Sequence, residues 1–277
     1  MGTTFLLVAA SDDEHLLADA VAQIAELESR WSRFLVDSEI SVLNRAQGAP
    51  VIVSSDTFHV IQAAVDGAIQ TEGRFDPTVH DSMVALGYDR TFDDIRGSHD
   101  GMANGDAVPA PGVAGIELDE SLLAVRLPRG VAIDLGGIGK GAAADLVSDS
   151  VMTRGAAGIA VSIGGDVRVR GDSPSGSGWR FEGDTSTLPM PALRDGGVCT
   201  SSVRRRRWRT RVGAVHHVVD PRTGESTSGA IESVTVIGAS ALQAEVLTKA
   251  AMVADYGAPA LLERFGVASH ISWRNAS

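Results

Sequence analysis

The sequence predicts an α+β fold. Its helix-forming stretches come in blocks between many short strand-forming segments, not in strict strand–helix alternation, which disfavours a doubly wound parallel sheet. Apolar residues three and four apart mark the helices, and β-branched runs closed by Gly, Asp or Pro mark the strands. At 277 residues, 44% apolar and 21% charged, the chain suits one large domain or two packed ones and excludes a disordered chain or a coiled coil.

Taken in order, Phe5 to Ala10 reads as a buried strand. Ser11 with Glu14 forms a capping-box pattern, and Leu17, Ala20, Ile24, Leu27, Trp31 and Phe34 then define one apolar helix face. Pro50 to Val53 predicts a short strand. Ser54 and Ser55 open a second helix with Phe58, Ile61, Val65 and Ile69 inward, closed near Gly73. Asp89 to Gly115 has no period and is rich in Gly, Asp and Pro, so a connection or lid is expected there. GIELDESLLAVRLP predicts a hairpin turning at Asp119 to Ser121, and VAIDLGGIGKGAAAD a strand, a glycine-rich turn and a helix. Strands follow around Gly164-Gly165, at Trp179 to Glu182, Gly197 to Ser201, Trp208 to Val212, Val215 to Val219 and Ile231 to Ile237. A last long helix starts near Ser240, with Gln243 completing a second capping-box pattern.

Charge and cysteine narrow the function. A formal net charge of −11 argues against a general nucleic-acid binder, because nothing global offsets phosphate repulsion, yet it leaves room for a local basic pocket. The single cysteine, Cys199, allows neither an intramolecular disulfide nor a cysteine-based metal cluster. The opening MGTTFLLVAASDDEH has a six-residue apolar run with no basic stretch before it, so neither a signal peptide nor a membrane span is expected, and a cytoplasmic location is.

Five features bear chemistry, each with a plain structural alternative. Gly136, Gly137, Gly139 and Gly141 open a helix beside Lys140, a place where backbone N–H groups and the macrodipole favour an anion. The pattern is neither a P-loop nor a dinucleotide fingerprint, and a tight ligand-free turn would look the same. Gly164-Gly165-Asp166 marks a bulge or a close backbone approach to a ligand. HHVVDPRTGE places His217 at a strand end before an Asp-Pro turn, where a general base or a satisfied surface histidine would serve equally. Six arginines crowd the eight positions Arg204 to Arg211, suiting phosphate oxygens or a charged edge strand. Glu245 and Lys249 stand i, i+4 on the last helix, as an ordinary helical ion pair would.

The order of these blocks is more specific than any one of them. MGTTF, DSEISVLN (Asp37 to Asn44), GRFDPTV (Gly73 to Val79), DLGGIGKGAAAD, VSIGGDVRVRG, Thr200-Ser201-Ser202, HHVVDPRTG and VTV before an A-E-x-x-T-K helix together resemble the FAD:protein FMN transferase (ApbE-like flavin transferase) family, from Met1 to about Tyr256. The resemblance implies a single ApbE-like domain over 1–277, made of two packed lobes, one T-fold-related. Mixed or antiparallel sheets with flanking helices, FAD in the cleft between the lobes and 89–115 as connecting loop or lid complete that picture. The implied reaction cleaves the FAD pyrophosphate and passes FMN to a Thr or Ser hydroxyl of a target flavoprotein, releasing AMP with Mg²⁺ assisting. Some members instead hydrolyse FAD to FMN and AMP. Matching residue by residue, His217 is the implied base and Asp220 its support. The implied FAD contacts are Met1, Thr3, Ser38, Asn44, Asp76, Thr78, Gly137, Lys140, Gly141, Gly164, Gly165, Asp166, Thr200, Ser201, Arg204, Arg206, Thr223 and Lys249, and the implied metal ligands are the Gly139 carbonyl and Glu245.

Two departures from the family pattern stand out. The usual T-S-G-x-Y-x-R reads Thr200-Ser201-Ser202-Val203-Arg204-Arg205-Arg206. On the last helix, Ala-Asp followed four residues later by Thr becomes Glu245 and Lys249, and a protonated lysine repels a cation. Lys249 is therefore expected to take over part of the metal's electrostatic role, with Thr248 as the alternative oxygen ligand. An FAD pyrophosphatase and a non-catalytic FAD-binding protein remain the competing readings.

Overall fold

The computed structural model describes residues 3–97, 106–181, 192–211 and 213–274. The first half runs β1 (Phe5–Ala10), α1 (Leu16–Trp31), α2 (Glu39–Arg45), β2 (Val51–Ile52), α3 (Ser55–Gln70), α4 (His80–Ala85), α5 (Phe92–Gly97), β3 (Glu117–Asp119) and β4 (Ala124–Arg126). The second half runs α6 (Gly139–Thr153), β5 (Gly158–Ile163), β6 (Asp166–Gly171), β7 (Asp195–Ser202), β8 (Arg207–Thr210) and β9 (Gly213–His216). It closes with β10 (Ile231–Gly238), α7 (Ala241–Ala254), α8 (Ala258–Arg264) and β11 (Ala268–Trp273). Six strands make one antiparallel sheet in the order β1-β5-β6-β7-β10-β11, while β2-β4-β3 and β8-β9 form smaller sheets. The architecture is α+β, and no described helix is long and apolar enough to cross a membrane.

Several elements differ from the periodicity reading, each for a physical reason. The first helix starts at Leu16 rather than after Ser11, because Ser11 and Asp13 spend their side chains on the turn before it, accepting from the Asp13 and His15 amides. Its inward stripe is Leu16, Ala20, Ile24, Leu27 and Trp31, which leaves Leu17 exposed, and it ends before Phe34. Along α3 the buried face is Phe58, Ile61, Ala64 and Ala68, with Ile69 outside. The 131–134 stretch is not a strand. Instead Asn44 clamps Ile133, donating to its carbonyl and accepting from its amide, both at 2.9 Å. Gly164-Gly165 is not a bulge but the two-residue turn of the β5–β6 hairpin, both with positive φ (62° and 92°), and this pairs Ile163 with Asp166. The short α2, α4, α5 and α8 and the edge strand β11 lack a long period and escaped notice.

In the segment 89–115, α5 occupies part of the expected loop, and residues 98–105 lie outside the described set. Its far end is tied down: the Ala110 amide donates to the Pro221 carbonyl at 2.8 Å, and the Gly112 amide to Thr78 Oγ1 at 3.0 Å.

Helices α6 and α7 cross closely over the large sheet. Ala142, Ala143, Ala144, Ala241 and Ala244 keep both helices slim and are all buried. A Cβ on Gly141 would sit 2.4 Å from the Ala241 carbonyl oxygen, and one on β7 Gly197 2.3 Å from the Ala241 amide nitrogen. Neither contact is possible, so both positions require glycine. At this crossing α6 and α7 also exchange carboxylates. Asp145 on α6 accepts from the Ala241 and Leu242 amides at 3.0 and 2.8 Å, joining Ser240, which caps the same helix by accepting from the Gln243 amide. Glu245 on α7 returns the contact by accepting from the Gly141 amide at 2.8 Å. Gly141→Ala is expected to destabilise the protein by about 1–3 kcal/mol, the usual cost of overpacking where backbone must yield. Urea unfolding measures it, and an unchanged midpoint would remove the crossing as a constraint.

Candidate active site

A cleft opens between the start of α6, the turn after α3, the end of α1 and the segment after β9. Its lining includes five cations, Arg33, Arg74, Lys140, Arg206 and Lys249, against two carboxylates, Asp76 and Asp134. In a chain of net charge −11 this is a concentrated positive site.

The glycine turn forms one wall. Asp134 accepts from the Gly136 amide at 2.7 Å and pairs with Arg33 Nε at 2.8 Å, which fixes both the turn and a buried guanidinium. A Cβ on Gly137 would press to 3.1 Å against Phe75, so glycine lets that ring lie on the turn. Phe75 belongs to the Asp-Pro turn, where Asp76 Oδ1 accepts from the Thr78 amide (2.8 Å) and hydroxyl (2.6 Å). Burial pushes the Asp76 carboxyl above its usual range, although both Thr78 donors oppose this. The Asp134 amide donates to the Pro77 carbonyl at 2.7 Å and locks the two turns together.

Behind Lys140 lies an ion cluster drawn from three elements. Its ammonium bridges Glu245 on α7 and Asp166 on β6, the latter at 2.9 Å, and Lys249 Nζ reaches the same Glu245 Oε1 at 3.2 Å. The Glu245 side chain is fully enclosed. Burial alone would raise its carboxyl, but Lys140 and Lys249 hold it down at about 2. Burial likewise opposes the Lys140 charge, and Asp166 and Glu245 overcome it, lifting that ammonium above the ordinary lysine value.

His217 faces this cluster across the cleft. Its Nδ1 lies 3.2 Å from the Arg205 carbonyl, which can only accept, so Nδ1 carries the proton and Nε2 keeps its lone pair. Burial first, then the fields of Lys249, Arg206 and Lys140, push the imidazole down to about 3. The ring is therefore neutral at physiological pH. Arg206 has a left-handed backbone (φ 45°) and its Nη1 lies 3.4 Å from the Tyr88 hydroxyl. Tyr88 in turn packs against Trp208 with ring centroids 5.3 Å apart and planes tilted by 47°, part of a second apolar cluster with Met83, Leu86, Val215 and Val219.

The residues named from sequence divide clearly. Asp76, Gly137, Gly139, Lys140, Arg206, His217 and Lys249 line the cleft. Asp166, Glu245 and Gly141 stand behind Lys140, and the Thr200 amide donates to Asp166 at 3.2 Å. Thr3 and Gly164 pack beside Lys140, since a Cβ on Gly164 would meet Thr3 Oγ1 at 2.8 Å, and Gly165 abuts Arg205. Thr78 supports Asp76, Ser38 caps α2, and Asn44 clamps Ile133. Ser201 Oγ meets Thr248 Oγ1 at 2.8 Å, and Thr248 also donates to the Glu245 carbonyl, so this fully buried hydroxyl is committed away from the cleft. Arg204 reaches out to Glu232, while Thr223 stays within its turn; neither lines the cleft. Asp220 binds Arg222 at 2.7 Å and closes that turn without a hydrogen bond to His217, whose orientation comes from the Arg205 carbonyl. Met1 lies outside the described residues. Arg33, Arg74 and Tyr88 line the cleft unforeseen, because nothing local in WSRF, GRF or GYD marks them as convergent.

The metal ligands implied by the resemblance do not fit a divalent cation. Glu245 Oε1 already faces two ammonium groups and Oε2 accepts a backbone amide, so most of that carboxylate's acceptor capacity is taken and a cation entering there would meet two positive charges. Among the described residues no cluster of three or more His, Cys, Asp or Glu side chains could hold an ion.

A cationic cleft with a neutral imidazole and a helix start suits the binding of an anionic group such as a phosphate ester. Comparison with known proteins names the family. The ApbE family model matches residues 1–271, so this chain belongs to the ApbE family. It is 25% identical over 266 residues to the FAD:protein FMN transferase of Vibrio cholerae, covering 91% of this chain and 79% of that one. With that of Klebsiella pneumoniae it shares 27% over 256 residues, covering 90% and 78%. Its fold matches the ApbE protein of Thermotoga maritima with a TM-score of 0.82 at 23% identity, over 100% of this chain and 93% of the other. The Pseudomonas stutzeri flavinyl transferase ApbE gives 0.81 at 24% identity, over 100% and 89%.

The low value at His217 has a signed consequence. A folded-state value below the ordinary 6.5 means that the unfolded chain takes up this proton first, so the contribution to stability is full above about 6.5 and is lost as pH falls toward 3. In an NMR titration the His217 ring resonances are expected to hold still from pH 8 to about 5, the range in which an unperturbed histidine moves. A midpoint near 6.5 would contradict the electrostatics described.

Proposed function

We propose that this chain cleaves FAD at its diphosphate and transfers the FMN half to a Thr or Ser hydroxyl of a target flavoprotein, with AMP as the leaving group. The observation that carries this reading is His217: a neutral imidazole of fixed tautomer, its Nε2 lone pair free among the described residues, beside a cleft with five cations.

In this reading Lys140, Lys249 and Arg206 receive the diphosphate, and the N-terminal turn of α6 adds backbone dipoles. The acceptor oxygen attacks the FMN-side phosphorus as the bond from that phosphorus to the bridging oxygen breaks. AMP departs with the bridging oxygen, and His217 Nε2 takes the hydroxyl proton. The substrate itself tunes this base. A bound diphosphate offsets the three cations that depress His217, raising its affinity for the proton when the hydroxyl must be deprotonated. Phe75 and Tyr88 offer flat apolar surface to the flavin or adenine ring, and Arg33 and Arg74 extend the positive wall. The chain works here as one ApbE-like unit of two packed lobes, with 108–112 held against the Pro221 turn at the cleft's edge. No step is routed through a metal, since the residues do not fit one.

Incubating the protein with FAD and a candidate acceptor separates the possible activities. An acceptor mass gain of one FMN with AMP release is the expected result. AMP without an adduct would identify a pyrophosphatase, and bound yellow flavin with neither would identify a binding protein. His217→Ala is expected to lower transfer by about 10²–10⁴-fold while FAD still binds. An undiminished rate would remove His217 as the base.

A further inference from the structure

We propose that Lys249 occupies the position where a divalent cation would otherwise neutralise the diphosphate, so that this chain binds and cleaves its substrate without a metal. The inference rests on the diphosphate reading above and deepens it by assigning the charge that faces the phosphates.

Lys249 does more than complete a helical ion pair. Glu245 and Asp166 share Lys140, and Lys249 balances the second carboxylate of this cluster. Of Glu245 and Lys249 on α7, Lys249 alone lines the cleft. Its stem passes the glycine turn, with Cγ 3.8 Å from where a Gly137 Cβ would be. Lys249 and His217 both line this cleft.

A magnesium ion in that place would need about six oxygens at roughly 2.0–2.1 Å. The carboxylate offered already holds two ammonium groups and a backbone amide, and the next hydroxyl along the helix is Thr248. One residue is a rotation of about 100°, and that hydroxyl is buried against Ser201 and the Glu245 carbonyl. An entering dication would also meet two ammonium groups on Glu245. Lys249 supplies a fixed positive charge without that conflict, at no reorganisation cost when the phosphate arrives. With Arg33, Arg74, Lys140 and Arg206 already in the lining, the cleft reaches a strong positive potential with side chains alone.

The test is FAD binding followed by flavin fluorescence, in excess chelator and in millimolar Mg²⁺. Wild-type protein is expected to bind equally in both, release AMP equally in both, and carry substoichiometric metal by mass spectrometry when FAD is bound. Lys249→Thr, checked for an unaltered melting curve, should lose about tenfold to a hundredfold in affinity under chelation, the worth of one charge-assisted contact. Loss of wild-type binding or turnover under chelation, restored only by Mg²⁺, overturns the proposal. So does stoichiometric metal in the wild-type complex, or a Lys249→Thr protein that binds FAD as tightly as wild type. Should Lys249→Thr fail to fold, the wild-type chelation and metal-content results decide alone. FAD that binds under neither condition fails the diphosphate reading itself, which separates the two outcomes.

Discussion

Glu245 is a buried anion, and the rest of the site is arranged around the need to satisfy it. An unpaired carboxylate in that position would be far too costly to bury. Three donors meet it from two helices: Lys140 and the Gly141 amide on α6, and Lys249 from its own turn of α7. That demand fixes the rotation of α6 against α7, and Asp145 fixes it from the other side by holding the first amides of α7. The small residues at the crossing follow from the same geometry. Helices close enough to exchange carboxylates through backbone amides leave no space for a Cβ at position 141.

The electrostatics of the cleft follow from that arrangement. Asp166 and Glu245 keep Lys140 charged despite its burial, so the cation stands at the start of α6, where backbone dipoles already favour an anion. The same carboxylates lie behind the lysines instead of lining the cleft, so the field that reaches His217 is positive. A base held neutral with its proton on Nδ1 is the outcome. The Arg205 carbonyl chooses the tautomer, a task that an acidic side chain often performs elsewhere.

Much of the frame was legible from sequence, because long periodic helices and β-branched strands signal themselves locally. The glycine turn, Lys140 and His217 were legible for a related reason: glycine before a helix and histidine at a strand end are local signatures. What escaped notice depended on distance. Arg33 matters because its partner is Asp134, far along the chain. Asp220 looked like the natural support for His217, but its carboxylate is held by the Arg222 guanidinium two residues away. Gly164-Gly165 looked like an interruption. Positive φ at both residues makes it a hairpin turn, and that turn is what delivers Asp166 to Lys140.

The arginine run shows most directly why local charge density is a poor guide to a site. Strand pairing with β9 sends Arg207 and Arg209 to solvent and turns Trp208 and Thr210 inward, while Arg204 is drawn out to Glu232. Only Arg206 enters the cleft, because a left-handed backbone at that position breaks the alternation between β7 and β8. The four other cations of the lining come from four separate segments, at 33, 74, 140 and 249. A protein carrying −11 overall thus gains its anion site by convergence of single charges, each held by its own carboxylate, ring or backbone contact. Such a site is pre-paid in the folding energy of the scaffold. It presents positive charge at fixed distances before any ligand arrives, which is the condition for an anion to be held without the scaffold reorganising around it.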